Sequence, residues 1–364
     1  MTQVFVPGLG FRSADGGLAL RAPVEVVRRS VSLWLGRVVS TRERTDIDYA
    51  FDADASLMSE RSAWVQAPVS LRDSNGRIYR AGGRGGGGGT AGRLSVHATF
   101  EMLDPRARRA ELRVDTPLGP WTVPFELIPL TDSDVSSAMP LDERSTDGDV
   151  TVELTALARS SEYTAIRLTA TGNGSIRFVR GIVGGMRLAG PDAAVVLEDD
   201  ALRRYKLRSP VHSVWPEAGA YQETLLFAPL SESARELKLT LGSILVELRG
   251  GDCTIAYPSE VGDYRFGDFP IRLVASQPDE RDPERTVIFR LESARLADGR
   301  MLVQPGRVLV DGTDVGYRVQ RVGTTRDTRT LDVGVAHPGR ERFTMALRYP
   351  VTELQGRWEL HVRL

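Results

Sequence analysis

The sequence predicts an all-β protein made of three tandem β-sandwich domains. Three observations lead to this prediction: short runs in which apolar and polar residues alternate, turn residues between those runs, and a landmark that returns along the chain. Helical periodicity is scarce and is limited to segments such as 104–109 and 231–235. Because a strand with one apolar face must bury it against another layer, many such runs predict stacked sheets.

The landmark begins with a Phe. A Leu follows three residues after the Phe, an Ala-Arg pair begins seven residues after it, and the landmark ends in an alternating strand. Its first copy comprises Phe100, Leu103, Ala107, Arg108, Ala110, Leu112 and Val114. Its second copy, with the same offsets, comprises Phe227, Leu230, Ala234, Arg235, Leu237, Leu239 and Leu241. A weaker third copy comprises Val333, Ala336, Phe343, Met345 and Leu347. A repeat of this kind indicates copies of one small domain.

The strands justify the same division in chain order. Residues 1–29 are a glycine-rich lead-in with one edge strand, and the first regular strands are 31–35 and 47–51. Equivalent runs return at 150–154 and 166–170, and again from 269. The predicted closing strands are Trp121–Phe125, Ile244–Leu248 and Trp358–Val362. We therefore predict domains at 1–130, 131–258 and 259–364, here called copies one, two and three.

Each copy also has an Asp with a Tyr six residues later: Asp73 and Tyr79, Asp199 and Tyr205, Asp311 and Tyr317. In copy one the intervening Asn-Gly predicts a hairpin, because a type I′ turn needs positive φ at both central residues. The Asp is expected to cap the turn by accepting backbone N–H groups. Arg77 and Arg203 share one position, so a structural pairing with the Asp of the same hairpin is favoured over a ligand role.

These motifs together resemble the immunoglobulin-like modules that stand in tandem outside the membrane in bacterial membrane-anchored proteins. Some of those proteins are similar to anti-sigma-factor-type regulators. The resemblance covers nearly the whole chain and implies an extracytoplasmic location, with about seven strands per copy and no catalytic residues to carry over. The cytoplasmic zinc-binding segment and the transmembrane helix of such regulators have no counterpart in this sequence.

Composition excludes several classes of function. The 47 Lys and Arg residues balance the 48 Asp and Glu residues, so no basic field recruits nucleic acid or an anionic membrane. No apolar run is long enough for a transmembrane helix, and Met1–Val4 does not begin a signal peptide. The single cysteine, Cys253, excludes an internal disulfide and a cysteine-only zinc cluster.

The sequence contains no motif that predicts catalysis or a cofactor. The tract Gly85–Gly89 lacks the Lys of a phosphate loop and is interpreted as a flexible hairpin insertion. The four histidines, His97, His212, His337 and His361, lack metal-ligand spacing, and no Gly-x-Ser-x-Gly elbow is present. We expect no enzyme, while a triad assembled in space and calcium binding by acidic loops stay open.

Four aromatic residues that differ between the copies are the candidates for ligand or partner contact: Trp34, Trp64, Trp215 and Tyr221. Trp34 should face outward, because Val31, Leu33 and Leu35 form the inward phase of its strand. It packs under residues 1–29, or it belongs to a contact surface for a partner or ligand, or it is an isolated exposed tryptophan with no role. The sequence therefore favours a non-enzymatic interaction or sensory ectodomain with a protein partner; carbohydrate binding through loop aromatics is the alternative.

Overall fold

The structure is a computed structural model that describes residues 3–7, 9–28, 30–53, 61–86, 92–133, 135–182, 195–214, 220–325, 327–336 and 341–364. Within these ranges the regular structure comprises 29 strands, one five-residue helix and one 3₁₀ turn, so the all-β prediction is confirmed. The chain divides into two compact units, Met1–Met139 and Pro140–Leu364. The three domain ranges stay a prediction, because these units do not delimit the repeats.

The first unit holds eleven complete strands in the described part of the chain. They are β1 (Gln3–Val6), β2 (Gly10–Ser13), β3 (Leu18–Leu20), β4 (Val24–Arg28), β5 (Val31–Ser40), β6 (Thr45–Ala53), β7 (Val69–Asp73), β8 (Ile78–Gly86), β9 (Arg93–Phe100), β10 (Arg109–Thr116) and β11 (Gly119–Pro129). A short helix, α1, spans Arg61–Val65, a 3₁₀ turn spans Leu130–Asp132, and β12 (Ser136–Asp147) begins in this unit.

Eight of these strands form a sheet that closes on itself, in the order β3-β11-β10-β7-β8-β9-β6-β5. The closure depends on β3, whose Leu18 pairs with Ser40 of β5 on one side and with Pro129 of β11 on the other. An open two-sheet sandwich is therefore not confirmed for this unit. The lead-in contributes four strands instead of one, because Gly10 and Gly16, both at positive φ, allow the chain to turn back.

The interior of the closed sheet follows the predicted alternation. Val31, Leu33 and Leu35 are buried, which confirms the inward phase of β5. Phe100 and Leu103 of the landmark are also buried, as predicted. A second, smaller core lies under the lead-in and contains Val4, Val6, Leu9, Ala14, Ala19, Val39 and Leu130.

The second unit contains the rest of β12 and seventeen further strands in the described residues. They are β13 (Val150–Arg159), β14 (Thr164–Gly172), β15 (Ile176–Gly181), β16 (Val196–Asp199), β17 (Arg204–Tyr205), β18 (Leu207–Val214), β19 (Tyr221–Phe227), β20 (Glu236–Leu248), β21 (Asp252–Tyr257), β22 (Gly262–Phe266), β23 (Phe269–Pro278), β24 (Thr286–Ala294), β25 (Leu302–Val310), β26 (Thr313–Asp314), β27 (Tyr317–Thr324), β28 (Thr328–Ala336) and β29 (Phe343–Arg363). Phe227 is fully buried as predicted, whereas Leu230 is only half-buried.

The last residues of the chain complete the sheet of copy two. In copy one, β10 pairs with β11 so that Val114 lies opposite Trp121. In copy two, β20 pairs with the end of β29 so that Leu241 lies opposite Trp358. The two tryptophans therefore occupy equivalent places, and both are buried.

Residues 250–350 are thus inserted between two paired strands of copy two, so from here on copy three means residues 250–350, and residues 351–364 belong to copy two. The sequence-based assignment of two closing strands was wrong. Ile244–Leu248 is a continuation of β20 and not a separate strand. Trp358–Val362 pairs with β20 and so closes the sheet of copy two instead of that of copy three. Alignment along the chain missed this because it assigns each strand to the nearest landmark, whereas an insertion separates strands that pair in space.

Copy three consists of two sheets that pack through aromatic side chains. One is the part β21-β29-β25-β26 of an eight-stranded sheet that also contains β15, β16, β17 and β20 of copy two. The other is a separate five-stranded sheet with the order β22-β23-β24-β28-β27. Tyr257 of β21 stacks on Phe343 of β29 with ring centroids 5.0 Å apart. Phe289 of β24, in the other sheet, lies 6.1 Å from Tyr257 and 6.2 Å from Phe343.

A buried carboxylate lies where copies two and three meet. Glu247 of β20 has a side chain with no exposed surface and forms ion pairs with Arg177 and Arg180 of β15. The guanidinium of Arg177 lies 3.9 Å from the ring centroid of Tyr349. A Cβ at Gly306 would lie 2.6 Å from Glu247 Oε2, so only glycine fits beside this carboxylate.

Candidate interaction site

The Asp-Tyr hairpin of copy one is held by a single carboxylate. Asp73 Oδ1 accepts the backbone N–H groups of Asn75 and Arg77, at 2.9 and 3.0 Å. The Tyr79 hydroxyl donates to Asp73 Oδ2 at 2.9 Å and accepts the N–H of Asp104 at 3.3 Å. The carboxylate therefore caps the turn, as predicted. Through Tyr79 it also connects the turn to Asp104, in the segment between β9 and β10.

Copy two repeats this network. Asp199 Oδ1 accepts the N–H groups of Ala201 and Arg203, at 3.0 and 2.9 Å, and the Tyr205 hydroxyl donates to Oδ2 at 2.7 Å. Tyr205 in turn accepts the N–H of Ser231 at 3.2 Å. Burial alone would raise the pKa of Asp199, but these hydrogen bonds outweigh it and lower the pKa to about 2.

The shared arginine behaves differently in the two copies. Arg203 Nε donates to Asp199 Oδ2 at 2.7 Å, so the predicted pairing is confirmed in copy two. Arg77 instead contacts Glu101 and lies over the ring of Tyr79, 4.8 Å from its centroid. In copy one the pairing of the arginine with Asp73 is not observed.

Copy three keeps the Asp and the Tyr but not their network. Asp311 Oδ1 accepts the N–H of Thr344 at 2.9 Å, and the Tyr317 hydroxyl donates to the carbonyl of Pro305. Asp311 itself is at positive φ, 47°. The hairpins of copies one and two are therefore the two that can be compared position by position.

The turn position that is glycine in copy one is leucine in copy two. Gly76 has φ of 79° and the equivalent Leu202 has φ of 60°, a conformation that disfavours a Cβ. The Leu202 side chain is 80% exposed, so packing does not compensate for that conformation. The fold does not require a strained and exposed leucine at this position. The sequence analysis missed this residue, although an alignment of the two hairpins places it opposite Gly76.

Replacing Leu202 by glycine is expected to raise the free energy of unfolding of the second unit by about 0.5–1 kcal/mol. The left-handed conformation costs a non-glycine residue about 1–2 kcal/mol, and the added flexibility of glycine removes part of the gain. Thermal unfolding of the variant and the parent measures this difference. The control, Gly76→Leu, should destabilise the first unit; a destabilised Leu202→Gly protein would contradict the interpretation.

Leu202 lies beside a groove of about 670 Å³ on the outer face of copy two. Three outward residues on adjacent strands line it: Glu198 of β16 lies opposite Lys238 of β20, which lies opposite His361 of β29. Leu141 of β12 lines it too. Leu237 and Val362 are buried beneath it, so the groove combines a row of polar side chains with two leucines that reach its surface, Leu141 and Leu202.

Copy one has a pocket at the equivalent place, of about 310 Å³. It is lined by Gly76 where copy two has Leu202. Three further positions are reversed in charge between the two pockets: Arg72 and Glu198, Arg109 and Glu236, Glu111 and Lys238. Two sites with one framework therefore differ in size, in charge and in the exposed leucine.

Among the aromatic candidates, Trp34 faces outward as predicted and is half-buried. Its ring occupies the place of a side chain at Gly36, where a Cβ would be 2.1 Å from Trp34 Cη2. Glu25 of the lead-in strand β4 is its cross-strand neighbour. Packing of Trp34 under the lead-in stays a prediction. The guanidinium of Arg93 lies 5.5 Å from the ring centroid.

Two other candidates are buried, which argues against direct contact with a ligand. Trp64 is 2% exposed, because α1 directs its indole into the core, where it lies 4.9 Å from the ring of Phe51. Tyr221, at the start of β19, is 5% exposed. Trp215 lies outside the described residues. Of the three candidates within the described residues, only Trp34 is not buried.

His97 on β9 is held between two carboxylates of β6. Its Nδ1 lies 2.7 Å from Asp48 Oδ1, and its Nε2 lies 3.3 Å from Asp46 Oδ1. Arg37 pairs with Asp48, and Arg44 pairs with Asp46. The hydrogen bonds to Asp46 and Asp48 raise the pKa of His97 to about 9, so the ring is protonated at neutral pH and is not available as a general base.

The proton on His97 should stabilise the fold only below alkaline pH. Its folded pKa of about 9 lies above the ordinary 6.5, so the stabilisation is complete below pH 6.5 and is lost as the pH rises towards 9. Because the side chain is 37% exposed, screening reduces the contribution to about 1 kcal/mol. NMR titration of the His97 ring should give a midpoint near pH 9, and Asp48→Asn should lower that midpoint. A midpoint near 6.5 in the parent protein would show that Asp46 and Asp48 do not hold the ring in its protonated form.

The described residues contain no group of three or more His, Cys, Asp or Glu side chains that could hold a metal ion. Calcium binding by the acidic loops therefore gains no support there. In the described part of the chain, none of the helices has the length and apolar character needed to cross a membrane.

Comparison with known proteins adds a distant structural similarity. The scan against protein-family models gave no match, and the search of the curated proteins also gave no match. Among solved structures, the chain is similar to the crystal structure of the conserved domain protein from Bacillus anthracis, with 14% sequence identity and a TM-score of 0.31. That similarity covers 64% of this chain and 80% of the other.

Proposed function

We propose that this chain is a non-enzymatic interaction protein that works outside the cytoplasm and binds a protein segment in the groove of copy two. The observation that carries the proposal is the difference between the two equivalent pockets. Gly76 occupies the positive-φ position of the hairpin in copy one, where glycine is unstrained. Leu202 occupies the equivalent position in copy two, where it is strained, and it exposes 80% of its surface. Because both copies fold on one framework, a costly residue that only one copy has is best explained by a contact that only that copy makes.

The proposed architecture is three related β domains: copy one is the closed sheet, and copies two and three are immunoglobulin-like sandwiches, with copy three inserted into copy two. Its support is the two-sheet packing of copy three and the shared hairpin network of copies one and two. The extracytoplasmic location rests on the resemblance to modules of membrane-anchored regulators. A non-catalytic role agrees with His97, which contacts two carboxylates, being held in its protonated form.

Panning a displayed library of random peptides against the full chain tests the proposal. Peptides should be enriched on the parent protein and lost on the Leu202→Gly variant, which is expected to be at least as stable, so the loss cannot come from unfolding. Gly76→Ala in copy one is the matched control and should leave the enriched set unchanged. Enrichment that ignores Leu202, or no enrichment, would refute the groove as the binding site.

Carbohydrate binding is the second candidate, and Trp34 supports it. A half-buried ring on the outer face of a sheet offers an aromatic surface on which a sugar can stack once the Arg93 side chain, 5.5 Å from the ring centroid, moves aside. A glycan array probed with the parent and with Trp34→Ala separates the candidates. Glycan binding that depends on Trp34, without peptide binding that depends on Leu202, would replace the first proposal by the second.

A further inference from the structure

We infer that the occupant of the copy-two groove is an extended peptide segment that places one aliphatic side chain between basic residues. This inference rests on the proposed function and specifies the chemistry of its partner. It is drawn from the charges that distinguish the two equivalent pockets, from the carboxylates in the groove that lack a cation, and from the two leucines at its surface.

The charge of the groove differs from that of its counterpart at equivalent positions. Copy two has four carboxylates and one lysine, at Glu198, Asp199, Asp200, Glu236 and Lys238. Copy one has two arginines, a serine and two carboxylates, at Arg72, Asp73, Ser74, Arg109 and Glu111. The rest of the groove's lining adds Glu143, His361 and Arg363, so five carboxylates face one lysine and one arginine. The groove is therefore acidic where the smaller pocket is balanced, and complementarity selects a basic partner.

Two of the groove's carboxylates are available to such a partner. Glu198 pairs with Arg204 at 2.7 Å, and Glu236 contacts Arg363 at 3.5 Å. Among the described residues, Glu143 and Asp200 have no cationic partner within ion-pair distance, although both line the groove.

Asp200 uses Oδ1 to accept the N–H of Arg235 at 3.1 Å. Its other oxygen, and both oxygens of Glu143, can accept hydrogen bonds from Lys or Arg side chains of the occupant. The same carboxylates would repel the phosphates of a nucleic acid.

The apolar part of the groove defines the centre of the segment. Leu202 exposes 80% of its surface, and Leu141 of β12 lines the same groove. An aliphatic side chain of the occupant would remove both leucines from water, while flanking basic residues reach the carboxylates. The groove is also bounded by strands β16, β20 and β29, so an extended chain fits along the row of their outward residues.

Fluorescence anisotropy with a defined probe tests the inference. The probe is a labelled, capped peptide with a central Leu and two Lys or Arg residues on each side, titrated with the full chain. We expect binding that weakens at about 0.3 M salt, because exposed charges are screened there. A charge-inverted peptide, with Glu at the basic positions, should not bind.

Variants assign the binding to the groove. Glu143→Gln and Asp200→Ser should each weaken binding about 2–5-fold, and Leu202→Gly by about 10-fold or more. The matched control is Ser74→Asp, which puts a carboxylate at the equivalent place in copy one and should change nothing. Equal affinity for the charge-inverted peptide, or no effect of Glu143 and Asp200, would overturn the inference.

The failure of this inference can be told apart from the failure of the proposed function. If the library yields peptides that depend on Leu202 but are acidic or uncharged, and the basic probe does not bind, the interaction groove stands and the basic partner is wrong. If neither the library nor the probe gives binding that depends on Leu202, both the proposed function and the inference about its basic partner are refuted.

Discussion

Replacing Trp358 by alanine is expected to destabilise copy two by about 3–5 kcal/mol and to spare copy three, although Trp358 follows copy three in the chain. The indole is 1% exposed, and its Nε1 donates to the carbonyl of Val150 at 3.0 Å. Removing it leaves a cavity in copy two and an unpaired carbonyl on β13. The strand that carries it also pairs with β20 through Leu241.

Hydrogen exchange followed by mass spectrometry can locate the effect, because local stability is reported strand by strand. Amides of β13 and β14 should lose protection in the Trp358→Ala protein, while those of β23 and β24 should keep it. Phe289→Ala, which removes a fully buried ring from copy three, is the reciprocal control and should give the opposite pattern. Loss of protection confined to copy three after Trp358→Ala would contradict the insertion.

The strands and their inward faces could be predicted from sequence because period-two alternation is a local signal. Val31, Leu33 and Leu35 are buried while Trp34 between them is half-buried, as the alternation required. The turn caps were predictable for the same reason, since Asp73 acts on residues two to six positions away. Both features depend on near neighbours in the chain.

Pairing between distant strands could not be predicted in this way. That β3 closes the sheet of the first unit depends on contacts between Leu18 and two strands about 20 and 110 residues away. That Trp358 belongs to copy two depends on a register with Leu241, across an inserted copy. No local pattern distinguishes an inserted repeat from one that follows in tandem.

The groove shows what comparison within one chain can add. Aromatic content predicted the candidate contacts, yet Trp64 is buried by a helix too short to give a clear sequence signal. Leu202 was visible in the sequence as the residue aligned with Gly76, but its meaning required the positive φ of both residues and their exposure. Burial and backbone conformation, which the sequence does not display, therefore decided which residue is the stronger candidate.

Replacing Glu247 by glutamine is expected to lower the free energy of unfolding of the second unit by about 3 kcal/mol. The carboxylate is fully buried and is shared by Arg177 and Arg180, so the neutral side chain removes the counter-charge that Glu247 supplies to both guanidinium groups. The arginines are about one-third exposed, which keeps the cost near the lower end for a broken buried pair. Urea unfolding of the parent and the variant measures the loss, read on the transition of the second unit because two units need not unfold together.

The first unit provides a matched control in Glu126, which is also shared by two arginines but is 47% exposed. Its carboxylate lies 2.9 Å from Arg21 and 3.7 Å from Arg109. Glu126→Gln should therefore cost less than about 1 kcal/mol, and salt should remove most of that effect while leaving the effect of Glu247→Gln in place. Equal losses in the two variants would mean that burial does not set the strength of the Glu247 cluster and that the contact between copies two and three has another basis.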